Sequence, residues 1–156
     1  MPAGMMNVLL AFGSNLGYRE ENVAGAWKML GTKPGITPLQ LSPLYETEPV
    51  GGPASQGLYI NAAGMIQTSL LPLELLRTLQ QIESAFGRIR LERWGARTLD
   101  IDILLYGNAV INTPELTIPH PEMLHRQFVL TPAQDIAADW VHPVTGLPLE
   151  KYRLVV

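Results

Sequence analysis

The chain contains no cysteine among its 156 residues, which excludes disulfides, thiolate metal sites and thiol catalysis. It also lacks any apolar run near the ~18–20 residues that a membrane span requires. Its start, MPAGMMNVLLAF, has neither a basic leader nor a long enough apolar stretch for a secretory signal. These absences lead to the expectation of a soluble cytoplasmic protein that binds no membrane. Positive charge is scarce as well, and the formal net charge of −3 argues against nucleic acid as a partner. Hydrophobic content of 47% with 16% charged residues is that of an ordinary globular protein. The length suits one domain, 1–156, large enough to bury a real core.

The positive charge that exists is unevenly placed. Arg88, Arg90, Arg93 and Arg97 put four of the eleven basic residues into one ten-residue stretch. A solvated face would mix in lysine, whereas guanidinium forks match phosphate oxygens bidentately. The chain then runs into Leu99, Asp100, Ile101, Asp102 and Ile103. This alternation predicts a strand, with both carboxylates on one face and their Cα atoms roughly 6–7 Å apart. Acidic residues are poor strand formers, and two on one face repel each other unless a cation lies between them. Mg²⁺ fits, because it favours carboxylate oxygen and shares its shell with water and substrate phosphates. Two such ions ~3.5–4 Å apart would make a two-metal phosphoryl-transfer site. The alternatives are two solvent-facing acids, or ion-pair partners for Arg93 and Arg97.

Arg88, Arg90 and Arg97 are then candidates to neutralise phosphate charge developing away from the metals. Arg93 has the same chemistry without an assignable direction. Trp94, beside Gly95, reads either as part of a loop closing over a nucleotide or as a core anchor. On an alternating strand Tyr59 and Asn61 share a face, and an aromatic plate beside an amide suits a flat heterocycle. A core tyrosine with a strand-end asparagine is the alternative, and Phe128 also reads as core. His120, between two prolines and followed by Arg126, could donate to phosphate or serve in acid–base work. No serine or cysteine signature accompanies it, so a hydrolase triad has no support. Glu83 reads as a solvated glutamate on the polar side of its helix.

The elements around these residues follow from local pattern. Residues 1–6 read as a loose extension and Val8–Phe12 as a central strand. GSNLG at 13–17 turns the chain, with Ser14 or Asn15 available to cap a helix containing Trp27, Met29 and Leu30. That turn could also cradle phosphate, but the full dinucleotide and Walker patterns are absent, so a plain turn is expected. Ile36–Tyr45, with prolines at 38 and 43, reads as an edge or irregular strand. A Pro/Gly-rich loop over Thr47–Gln56 leads to a strand over Leu58–Gln67. Pro72 opens a second helix with Leu75, Leu76, Leu79, Ile82 and Phe86 at helical spacing, and Gly87 stops it. After the aspartate strand, Gly107–Asn108 predicts a hairpin leading to Ala109–Ile111, and Leu116–Ile118 a short strand. Glu122–Ala137 reads as helical in pieces, broken near Thr131–Pro132, and Trp140–Leu154 as loop with one short strand pair. The expected fold is α+β, a ferredoxin-like sandwich whose mainly antiparallel sheet is flanked by helices and elaborated at the C-terminal end. That topology alone selects no function.

Taken together, GSNLG at 13–17, YETEPVG at 45–51, YINAA at 59–63, RWGARTLDIDILLYG at 93–107 and PHPEMLHRQFVL at 119–130 resemble the 6-hydroxymethyl-7,8-dihydropterin pyrophosphokinase family of folate synthesis. The resemblance spans nearly the whole chain, and RWGARTLDID is its most specific part. It implies transfer of the β,γ-diphosphate from MgATP to the hydroxymethyl oxygen of the pterin, leaving AMP. It implies that Asp100 and Asp102 hold both Mg²⁺ ions, and that Arg88 and Arg97 contact phosphates and take part in catalysis. Arg90 and Trp94 would belong to a closing loop. Gln80, Glu83, His120 and Arg126 would line the ATP pocket. The pterin would stack between Tyr59 and Phe128, with Asn61 and the backbone around Thr47, Pro49 and Val50 reading its edge. Leu91 departs from members that carry another basic residue there, and the arginine loop is compact. The length leaves no room for the fused domains of some folate enzymes, and a monomer is the simplest expectation. An RNA-binding ferredoxin-like domain would instead need strand aromatics and a basic sheet face, and neither is present. A simple kinase or nucleotidyltransferase differs in its products.

Overall fold

The computed structural model describes residues 4–15, 18–47, 58–87 and 99–152. Strand β1 (Met6–Ser14) is followed by helix α1 (Arg19–Leu30), then β2 (Ile36–Leu41), β3 (Tyr45–Thr47) and β4 (Tyr59–Thr68). Helix α2 (Pro72–Ala85) leads to β5 (Asp100–Tyr106), the two-residue strands β6 (Ile111–Asn112) and β7 (Thr117–Ile118), and helix α3 (Gln127–Ala137). The main sheet runs β2-β4-β1-β5, with β3 also on β4, and every pairing is antiparallel. With β2 and β3 as one interrupted edge strand, this is the ferredoxin-like order that the element sequence predicts. Helices α1 and α2 cover one face, and α3 packs on the other against β4 and β1. Among the described residues, no helix is long and apolar enough to cross a membrane.

Strand parity divides the core. Val8, Leu10, Phe12, Ile60, Ile66, Ile101 and Ile103 are buried towards α1 and α2, where Leu75, Leu79 and Ile82 meet them. Leu9, Ala63, Leu104 and Leu105 are buried towards α3 with Met123, Ala133 and Ala137. The register of β5 on β1 shifts between Leu9/Leu105 and Leu10/Ile103, leaving Leu104 as an extra residue. Helix α1 packs closely enough that a Cβ on Gly64 would stand 2.5 Å from the Trp27 ring and 2.9 Å from Phe12.

Four local expectations change. Neither Ser14 nor Asn15 caps α1: Gly13 and Ser14 continue β1, and Tyr18 is the N-cap. Ser14 Oγ instead accepts from Asn22 Nδ2 at 3.2 Å, tying strand to helix. The Gly107–Asn108 turn exists, with Gly107 at φ +52°, but β6 pairs with β7 rather than folding back on β5. The backbone N–H of Gly107 donates to Asn7 O and that of Ala109 to Tyr106 O, which closes the turn, and the chain beyond it pairs with β7 instead. The break expected at Thr131–Pro132 is absent, since α3 continues through Pro132. Pro132 is buried in the packed face of α3, and burial outweighs the one missing N–H bond. Finally, Met6 joins β1 instead of lying in a loose extension. Helix α2 matches its expectation, with Pro72 in its first turn, Leu71 N–H donating to Glu74 Oε1 at 2.8 Å, and Gly87 following at φ +67°.

Candidate active site

Three neighbouring strands each place one core side chain between two side chains on the α3 face. On β5 the triplet is Asp100-Ile101-Asp102, on β1 Ala11-Phe12-Gly13 and on β4 Tyr59-Ile60-Asn61. The register aligns them, with Gly13 opposite both Asp100 and Asn61, and Ala11 opposite Asp102. Directly paired residues share a sheet face, so Asp100, Gly13 and Asn61 form one row across the sheet. Two strand spacings put the acid strand about 10 Å from the amide strand. The floor between them carries only a methyl group at Ala11 and a hydrogen at Gly13. A Cβ at Gly13 would meet Asn61 Oδ1 at 3.5 Å and Tyr59 Cδ1 at 3.8 Å.

A cleft of about 200 Å³ occupies this floor. Asp100, Asp102, Tyr59, Asn61, Thr47, His120, Arg126 and Phe128 all line it, so residues from five separate segments of the chain come together there. Asp100 is half-buried and Asp102 exposed, so water and ligand reach both. Asn61 is buried, and its Nδ2 donates to Thr47 Oγ1, which fixes the amide across the β3–β4 pair. Phe128 lies in the first turn of α3, with the Arg126 guanidinium 5.9 Å from its ring centroid.

His120 closes the acid end. Its backbone N–H donates to Leu104 O at 2.9 Å, and its Nδ1 accepts from Glu122 N at 3.1 Å. With Nδ1 accepting, the proton of the neutral ring belongs on Nε2. Burial lowers the His120 pKa most, Asp102 pulls it back up, Arg126 lowers it and Glu122 raises it. The balance is downward, which favours the neutral donor form near neutral pH.

Asp100 and Asp102 are carboxylates on one face with an open cleft before them. Among the described residues no group of three or more metal-ligating side chains gathers. Two carboxylates are nonetheless what Mg²⁺ takes when substrate phosphates and water complete its shell. The donor set therefore fits that ion and would not form an all-protein cage.

Gln80 and Glu83 do not line the cleft. Gln80 is exposed on α2. Glu83 corrects the expectation of a solvated residue: it is 6% exposed, and its Oε2 accepts the backbone N–H of Ile101 at 2.8 Å. The missed signal was spacing, because Leu75, Leu79 and Glu83 recur every four residues on one helix stripe. Pro49, Val50, Arg88, Arg90, Trp94 and Arg97 lie outside the described residues, as do Leu91 and Arg93.

Residues 9–138 match the family described as 7,8-dihydro-6-hydroxymethylpterin-pyrophosphokinase, or HPPK. The chain belongs to the HPPK family. A 2-amino-4-hydroxy-6-hydroxymethyldihydropteridine pyrophosphokinase of Haemophilus influenzae is 45% identical over 139 residues, 89% of this chain and 86% of the relative. The Bacillus subtilis protein of the same name is 46% identical over 127 residues, covering 81% and 75%. Among solved structures, the Plasmodium falciparum HPPK-DHPS crystallised with pteroate superposes with a TM-score of 0.75 at 15% identity. The superposition covers 94% of this chain and 41% of that one. At that identity the likeness supports the HPPK fold alone.

Proposed function

We propose that the chain transfers the β,γ-diphosphate of ATP to the hydroxymethyl oxygen of 6-hydroxymethyl-7,8-dihydropterin, as the names of its relatives suggest. The observation that carries this reading is that one cleft has acids at one end and an aromatic-amide pocket at the other. The pterin ring stacks between Tyr59 and Phe128, and the Asn61 amide, held by Thr47, reads its polar edge. The triphosphate lies towards Asp100 and Asp102, with His120 Nε2–H and Arg126 donating to it. The small residues Ala11 and Gly13 leave room for the reacting groups to meet.

The substrate hydroxyl oxygen bonds to the β-phosphorus while the bond from that phosphorus to the α,β-bridging oxygen breaks. AMP leaves, and the hydroxyl proton is lost. Such a transfer asks the protein for positioning and charge compensation rather than a covalent nucleophile. Asp100 and Asp102 would hold two Mg²⁺ ions, which supply charge neutralisation on the phosphates when bound. Arg88 and Arg97 complete the compensation in this proposal, with Arg90 and Trp94 over the nucleotide. A single domain acting as a cytoplasmic monomer belongs to the same proposal. Incubating the protein with MgATP and the hydroxymethyl pterin, then resolving the nucleotides, tests it. AMP with pterin diphosphate is the expected outcome. ADP would mean monophosphoryl transfer, and free diphosphate nucleotidyl transfer.

A further inference from the structure

Glu83 is a buried carboxylate on α2, and its partner is the peptide N–H between the two cleft acids. A carboxylate taken out of water is stable only when it is well hydrogen-bonded, so this contact holds more than an exposed one would. The position of the donor explains the need. Among the described residues β5 is the outer strand of the sheet, paired with β1. In an antiparallel ladder successive peptide groups point alternately towards and away from the neighbouring strand. Ile101 N–H points away from β1 to Glu83 Oε2, so the peptide groups of Asp100 and Asp102 point towards β1. Three successive residues are thereby fixed, two by the sheet and the middle one by Glu83.

We propose that Glu83 is a positioning residue for the Asp100–Asp102 pair, reaching from α2 to act through the Ile101 peptide at the edge of β5 away from β1. This rests on the reading of the two aspartates as metal ligands. It also gives Glu83 a role that needs no contact with ATP. A strand that rocks about Ile101 tilts both carboxylates together, so losing this anchor should weaken metal binding more than nucleotide recognition.

The test compares Glu83→Gln, which keeps an oxygen acceptor at the same reach, with Glu83→Met, which fills the space without one. Partners that orient metal ligands typically contribute about 10–100-fold in metal affinity or activity. Glu83→Met should therefore raise the Mg²⁺ concentration for half-maximal rate and lower kcat by about 10–100-fold, with the ATP KM within about threefold of wild type. Glu83→Gln should stay within about threefold on all three. A readout independent of turnover is Mn²⁺ binding in the presence of a nonhydrolysable ATP analogue, followed by electron paramagnetic resonance. It should weaken about tenfold or more in Glu83→Met and not in Glu83→Gln. Wild-type Mn²⁺ binding in a folded Glu83→Met protein would overturn the proposal. So would a Glu83→Gln protein as impaired as Glu83→Met, or an effect confined to ATP affinity. Should Glu83→Met not fold, Glu83→Gln decides: wild-type Mn²⁺ binding supports the proposal and a tenfold loss overturns it. A wild-type protein that binds Mn²⁺ but releases no AMP would sink the diphosphoryl-transfer reading while leaving the role of Glu83 to be decided by the Mn²⁺ titration.

Discussion

The two faces of the sheet are made by the same strands and differ in almost everything else. Towards α1 and α2, β1, β4 and β5 present Phe12, Ile60 and Ile101, all buried in one apolar cluster. One residue to either side, the same strands present Ala11 and Gly13, Tyr59 and Asn61, Asp100 and Asp102, all lining the cleft. The first face is filled, as close packing demands. The second is left shallow at β1 and rimmed by polar groups at β4 and β5. At these three triplets stability and chemistry are therefore separated by one residue of register, and substitutions there should sort by strand parity.

The sharpest break comes on β5. Asp100→Asn or Asp102→Asn should lower turnover by about 10³-fold or more, because metal charge compensation is worth several kcal/mol and about 1.4 kcal/mol is tenfold. Thermal stability should be unchanged or slightly raised, since a like-charge pair is relieved. Normal turnover in both variants would end the metal assignment. The reverse pattern is expected from Ile66, which is fully buried on the face covered by α1 and α2, at the far end of β4. Ile66→Ala should cost about 2–5 kcal/mol in urea unfolding, while the protein that remains folded keeps its KM for both substrates. A large change in KM without loss of stability would mean that parity does not divide the two roles.

A smaller effect sharpens the site face itself. Tyr59→Ala or Asn61→Ala should weaken the pterin far more than ATP in calorimetric titration. A lost aromatic stack alone accounts for about 0.5–1.5 kcal/mol beyond the buried area. Equal loss for both ligands would move the heterocycle away from Tyr59.

How much of this was legible beforehand depends on whether the cause was local. Strand alternation alone puts Asp100 with Asp102 and Tyr59 with Asn61, because side-chain period is a property of the segment itself. The strand order followed from the sequence of elements. What could not be read was pairing: that Gly13 stands between Asp100 and Asn61 is a fact of register across three strands. The failed hairpin at Gly107–Asn108 has the same origin, since the turn chemistry was right and the partner strand was elsewhere. Pro132 inside α3 shows burial overriding a local rule. Glu83 was open to a reading that counted fours from Leu75. Its charge pointed the other way.

The smallest expected effect distinguishes ordinary core burial from site burial by pH. His142 is buried, and its Nδ1 accepts from Val144 N and Thr145 N at 3.3 Å each. Burial lowers its pKa below the usual value near 6.5. The folded state then binds this proton more weakly than the unfolded chain, so stability rises with pH in that window. The contribution is complete above pH about 6.5 and is lost as pH falls through the depressed folded value. His120 is shifted in the same direction, with Asp102 opposing the shift. His142→Asn puts Oδ1 where Nδ1 accepts and removes the titration. The urea midpoint of the wild type should fall from pH 7 to pH 5, and that of His142→Asn should fall less. Equal slopes would assign the whole dependence to His120 and so to the cleft.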